Sequence, residues 1–342
     1  MERIIVIILA IFTVQITWAR DPISDNKLAQ VIDQFQYITQ YREIKNKSHS
    51  SGWDSCWEYT INLETDYPGM TNPLEVTTNF YIPNRDDLGS EQIPMVILLP
   101  PMGGKNFLDE KMANTLCSKN IAAMIVTNDF TGIQSGDVPP VEDHEMAIHR
   151  SVAGVKAAMA FGVDDVNIDG DKLGIFGVSL GGVLGTFVME TQANLAAGYF
   201  VVAGGDIPYI LANSTNDEVR RVRRVRMEEE GFTTKEEYEA FLRVHMSLDP
   251  FDLGRALPAE TVNMVISKND TTVPTQNQID LHMALGSPDA TYSNSGHVDT
   301  VIDTLFWGDG RRRIANFFAE RFKLENPRLT QRWLDQFSLD RF

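Results

Sequence analysis

The stretch DKLGIFGVSLGGVLGTFVMET, residues 171–191, decides the fold. Residues 173–176 are an apolar run short enough for a buried strand, and residues 183–189 read on as a helix. Between them stands Gly177-Val178-Ser179-Leu180-Gly181. A sharp strand-to-helix turn at this point holds the Ser179 hydroxyl out of the packing, with the free N–H groups of a helix start beside it. Gly177 and Gly181 lack the side chains that would keep strand and helix apart. A serine is a good nucleophile only with a base to take its proton and donors to receive the oxyanion. The rest of the chain is therefore read for those groups.

On either side the pattern alternates. Residues 93–99 form a continuously apolar run, as a strand buried on both faces should. Residues 108–119 suit a helix, 121–127 a buried strand, 141–160 a long helix and 196–202 another strand. Strands and helices in alternation predict a mostly parallel central sheet flanked by helices, an α/β architecture. Upstream, residues 57–63 and 74–82 are β-rich, with a turn signal at Asp66-Tyr67-Pro68-Gly69. Leu28, Val31, Ile32, Phe35, Ile38 and Tyr41 recur at spacings of three and four, which predicts a helix over residues 25–45 that packs on the main domain as an N-terminal arm, residues 20–50. His49-Ser50-Ser51-Gly52 reads as a loop.

The alternation breaks at about residue 207 and resumes with a strand at 262–266 and a helix at 276–285. The intervening residues 207–257 are helical and highly charged, and predict a helical cap over the C-terminal edge of the sheet, within a main domain of residues 51–342. Val219, Val222 and Val225 make one packed stripe, which leaves the five arginines of 220–226 on wet faces.

An acid is expected at the end of a late strand, and Asp270 stands where an apolar strand runs into a polar turn before Val273-Pro274. Its role would be to fix the tautomer and orientation of a base histidine. Asp206, at the end of the preceding strand, competes for it. The base is His297, on a strand-exit loop after Ser293-Asn294-Ser295-Gly296; the other five histidines lie before the first strand, in predicted helices or in the insertion. For the oxyanion, Pro100 and Pro101 at the end of the third strand have no N–H to give. The expected donors are therefore the backbone N–H groups of Met102 and Leu180.

With Ser179, Asp270 and His297 in that order, residues from about 53 to 322 resemble the α/β-hydrolase fold superfamily. The N-D-x-x-V-P form around Asp270 and the Asp249-Pro250 before its strand are similar to the dienelactone-hydrolase and bacterial esterase branches. Where such proteins often carry His-Gly-x-Gly-Gly, this chain has Pro100-Pro101-Met102-Gly103-Gly104, which keeps Met102 at the donor position. The resemblance implies an acyl-ester hydrolase working through a Ser-His-Asp triad, with a small-molecule ester as substrate. A serine peptidase, an acyltransferase and a non-catalytic envelope binding protein are the alternatives on the same scaffold.

Composition narrows the setting. At 342 residues, 43% hydrophobic, the chain suits one large domain with an insertion. A net charge of -17 argues against nucleic acid or an anionic membrane as partner. Residues 1–19 read as a secretory signal peptide: Arg3, an apolar run over 4–12 and small residues before a cut after Ala19. The expected location is thus exported, periplasmic or secreted, with no stable membrane insertion after cleavage. In an exported chain the two cysteines, Cys56 and Cys117, permit a disulfide, and two buried free thiols are the other reading. Neither cysteines nor histidines show metal-ligand spacing, and no cofactor or metal is expected.

Overall fold

A computed structural model describes residues 24–36, 40–50, 56–67, 72–84, 92–127, 138–165, 168–192, 194–254 and 257–324. The nine strands among them are β1 (Tyr41–Ser50), β2 (Cys56–Thr65), β3 (Leu74–Pro83), β4 (Ile93–Leu99), β5 (Ala122–Val126), β6 (Ile168–Val178), β7 (Leu195–Val201), β8 (Val262–Ser267) and β9 (Asp289–Ser293). They form one sheet in the order β1-β2-β3-β5-β4-β6-β7-β8-β9. The first three strands and the β3–β5 pair run antiparallel; every pair from β5 to β9 is parallel. The sheet is therefore mostly parallel, as predicted. Its central strands β4 and β5 are buried along nearly their whole length, which explains why they read as unbroken apolar runs.

Helices cover both faces. On one side α1 (Asp25–Asp33), α3 (Val141–Asp165), α4 (Leu180–Thr191) and α9 (Thr275–Ala284) share a core with the sheet, through Val31, Val152, Phe187 and Leu281 among others. On the other, α2 (Phe107–Cys117), α10 (His297–Leu305) and α11 (Gly310–Arg321) contribute Met112, Leu305 and Phe318. Cys56 and Cys117 are disulfide-bonded, tying the start of β2 to the end of α2. Closing a loop of this length contributes about 4 kcal/mol in the chain-entropy account.

Between β7 and β8 the chain leaves the sheet as α5 (Ile207–Asn213), α6 (Asp217–Glu230), α7 (Lys235–His245) and α8 (Pro250–Leu253). The first three build a small core of their own, in which Ala212, Tyr238, Leu242 and Met246 pack with Val141 at the start of α3. Arg220 and Arg221 pair with Asp217 and Glu218 one turn away, whereas Arg226, paired with Glu229, is largely buried and donates through Nη2 to the Val138 and Pro139 carbonyls. Arg223 departs from the expected wet face: it is buried and donates to the carbonyls of Leu211 and Ser214, locking α6 to α5.

The N-terminal arm differs from the helical reading. Helix α1 ends at Asp33, capped at Gln34, and Tyr41–Ser50 is a strand paired antiparallel with β2. The helical spacing continued into Tyr41 by coincidence. This edge strand carries Arg42, Lys45 and Lys47, the kind of charged sequence that protects a sheet edge and hides the alternation of a strand. Phe35 is fully buried and stacks on His149, while the Lys156 ammonium donates to the Phe35 carbonyl. His49 and Ser50 of the expected loop belong to β1, whereas residues 51–55, residues 68 and 69 of the predicted turn, the predicted signal peptide and the tail after residue 324 lie outside the described residues. No helix among the described residues is long and apolar enough to cross a membrane.

Candidate active site

Strand order reverses around β4: the chain steps from β4 to β5 on one side, then crosses to β6 on the other. A crevice opens at the carboxyl ends of the strands at such a switch point. Ser179 stands there, between β6 and α4, with φ 54° and ψ -119°. That conformation is strained for a non-glycine residue. Space around it is set by the two glycines. A Cβ at Gly177 would lie 2.2 Å from the Gly181 carbonyl oxygen, and one at Gly181 would lie 2.0 Å from the Leu99 carbonyl oxygen. Both approaches are possible only without a side chain.

Asp270 and His297 reach the serine from the ends of β8 and β9. Ser179 Oγ lies 3.0 Å from His297 Nε2, and His297 Nδ1 lies 2.6 Å from Asp270 Oδ2. The carboxylate accepts, so Nδ1 carries the proton and Nε2 is free to accept from the serine hydroxyl. Asp270 is held from all sides. Its Oδ1 accepts from the N–H groups of Thr272 and Val273, and its Oδ2 also accepts from Gln278 Nε2 at 2.8 Å. Asp206, the competing acid, instead pairs with Arg243 at 2.8 Å and caps α5.

The loop after β4 turns tightly, with Gly104 N–H donating to the Pro101 carbonyl at 2.9 Å and Gly104 itself at φ 73°. Met102 sits at the apex and lines the same cavity as Ser179, Leu180 and His297. Leu180 is the first residue of α4, so its N–H has no acceptor within the helix. The loop is fastened below by Lys105, whose ammonium is 3.1 Å from both Glu58 and Glu110. A capping box between Asn106 and Asp109 then starts α2. Burial pushes the Asp109 carboxyl up to about 7.

Above the serine lies a cavity of about 300 Å³. Ile148, Val183 and Leu184 line it from the body; Ile210, Val219 and Val222 line it from the cap. Val219 and Val222 of the valine stripe read in the sequence thus roof a pocket. Cap and body are joined by polar ties at the base of the cap. Asp249 accepts from the N–H groups of Asp206 and Ile207, and Thr215 N–H donates to the Thr271 carbonyl beside the acid. Sequence reasoning located Asp249 only as a motif residue and missed Gln278 altogether, because an isolated glutamine in a helix carries no signal of what it touches.

This strand order, with the serine turn at the switch point and helices on both faces, is the α/β-hydrolase fold. Solved structures with it include an acetyl xylan esterase from Thermoanaerobacterium sp., at 12% identity and TM-score 0.58 over 87% of this chain and 93% of that one. A second acetyl xylan esterase, from Paenibacillus sp., is 13% identical with TM-score 0.59 over 86% and 92%. A protein assigned as a dienelactone hydrolase in Klebsiella pneumoniae subsp. pneumoniae is 10% identical with TM-score 0.51 over 84% of this chain and all of its own. No protein-family model and no curated protein matches the chain.

Proposed function

We propose that the protein is an exported serine hydrolase that cleaves acyl esters of small molecules, with Ser179, His297 and Asp270 as its triad. The observation that carries this reading is the continuous hydrogen-bonded line from Ser179 to His297 to Asp270, opening into an apolar cavity. His297 Nε2 takes the serine proton as Oγ attacks the carbonyl. The N–H groups of Met102 and Leu180 receive the oxyanion, each donor worth roughly 3 kcal/mol in such sites. His297 then protonates the leaving alcohol, and water releases the acyl group by the same steps in reverse.

The pocket supports an ester of a medium-length apolar acyl chain. Glu218, the one acidic side chain among the cavity's described lining residues, is paired with Arg221 at 3.0 Å and is not left to hold a peptide amine. Esterases and a dienelactone-hydrolase relative among proteins of this fold support the same class, and the N-D-x-x-V-P form at Asp270 supports that branch. Export through a cleaved signal peptide is consistent with the disulfide. Labelling by a fluorophosphonate, with the modified peptide located by mass spectrometry, tests the proposal. The expected adduct is on Ser179; a protein that takes up no label, or takes it elsewhere, overturns it.

A further inference from the structure

Helix α9 follows the turn that carries Asp270 and sends one polar side chain back against it. Gln278 is fully buried and is not among the described residues that line the cavity. Its amide makes three hydrogen bonds at once. Oε1 accepts from the Ser267 N–H at the end of β8 at 3.0 Å, while Nε2 donates to the Val273 carbonyl at 2.7 Å and to Asp270 Oδ2 at 2.8 Å. A backbone N–H can only donate, and a carbonyl and a carboxylate can only accept, so one orientation of the amide satisfies all three.

The two oxygens of Asp270 are held differently. Oδ1 is pinned by the N–H groups of Thr272 and Val273, within the same turn. Oδ2 is the oxygen that accepts from His297 Nδ1, and the Gln278 amide is its second donor. The Asp270 side chain is closed to solvent, so water does not stand in for a missing donor. Without the amide, Oδ2 would be held only by the ring that it has to orient. With Oδ1 as a pivot, the carboxylate could then tilt and carry Oδ2 off the line to Nδ1. The bonds to Ser267 and Val273 already tie β8 to the turn before α9; the third bond serves the carboxylate.

We propose that Gln278 is a positioning residue that acts through Asp270: its amide fixes Oδ2 on the line to His297 Nδ1 and so keeps Nε2 facing the Ser179 hydroxyl. This rests on the hydrolase reading, in which His297 takes the proton of Ser179. Misplacing a reacting group by about 1 Å costs on the order of a hundredfold in rate. An ester in the cavity does not meet Gln278, so the amide acts on the rate of attack and not on binding.

The test follows the path of the effect through a double-mutant cycle. Gln278→Met keeps the length of the side chain and loses its three hydrogen bonds. On p-nitrophenyl acetate it is expected to lower kcat by about tenfold to a hundredfold, with KM within about twofold of the unmodified protein. The cycle itself is read in the rate of fluorophosphonate addition to Ser179, a single event per molecule that stays measurable where turnover is slow. With Asp270 present, Gln278→Met should slow the addition by the same about tenfold to a hundredfold; in the Asp270→Asn protein, whose carboxylate is already gone, by less than about threefold. Where Gln278→Met does not fold, Gln278→Asn takes its place with the same expectation, because its amide is one methylene too short to reach Oδ2. An equal loss in both backgrounds marks a structural glutamine and overturns the proposal, as does a loss below about threefold with Asp270 present. Turnover and a Ser179 adduct without coupling to Asp270 refute the role of Gln278 alone, whereas no turnover and no adduct in the unmodified protein refute the hydrolase reading itself.

Discussion

The strand ends that carry Ser179, Asp270 and His297 and the helices between β7 and β8 that roof them differ in how they are held. Asp270 is buried and takes hydrogen bonds from two backbone N–H groups, Gln278 and His297, and Ser179 is clamped where backbone approaches backbone. The cap has its own small core and is fastened to the body by a few polar ties at its base, among them Asp249 to α5 and Thr215 to Thr271. Hydrogen bonds and close backbone approaches are concentrated around Ser179, Asp270 and His297, and aliphatic contacts in the cap above them. Changes at the strand ends should therefore alter rate or folding, and changes in the cap should alter choice of substrate.

Asp270→Asn breaks the comparison most strongly if it fails. The amide cannot hold His297 in the required tautomer, and kcat is expected to fall by about 10⁴ with the fold intact. A loss below tenfold would mean that the carboxylate does not orient the base. Gly181→Ala comes next. A Cβ placed 2.0 Å from the Leu99 carbonyl oxygen forces β4 and α4 apart, with an expected loss of roughly 3 kcal/mol in chemical denaturation together with loss of activity. Val222→Trp moves the test to the cap. The ring fills the cavity from its roof, so kcat/KM for a decanoyl ester should drop about tenfold while the chain-length optimum shifts to shorter acyl groups. An unchanged optimum would show that acyl chains do not lie there.

A pH dependence at the foot of the loop after β4 sharpens the comparison from the side of the body. The Asp109 carboxyl is raised from its ordinary value to about 7 by burial. A raised acid destabilises the folded state progressively as pH climbs from the unfolded value, near 4, to about 7, and no further above it. Over that interval the slope is about 1.4 kcal/mol per pH unit. The thermal midpoint of the unmodified protein, measured against Asp109→Asn, should fall from pH 5 to 7 and then level. A difference that is flat or rises across the interval would contradict the assignment.

What was legible follows the same division. Gly177, Gly181 and Ser179 could be read because only glycine permits the close approaches of the turn. Asp270 and His297 could be read because polar residues at the exits of apolar strands have few other reasons to be there. The parallel core was legible because strands buried on both faces are unbroken apolar runs. Edge strand β1 was not, since a charged edge loses its alternation and an accidental helical spacing ran into it. Nor was Gln278, nor the choice between a Cys56–Cys117 disulfide and two free thiols, since both depend on which elements the fold brings together. The cap was recognisable as an insertion, while the shape beneath it came only with the packing of α5, α6 and α7 over the serine.

The most direct test of the central claim is hydrolysis of p-nitrophenyl esters from acetate to decanoate by the protein, with Ser179→Ala as the blank. The account predicts turnover that disappears with Ser179 and an optimum at intermediate chain length, set by the cavity under the cap. Hydrolysis that persists in Ser179→Ala, or none on any ester of the series, would contradict it.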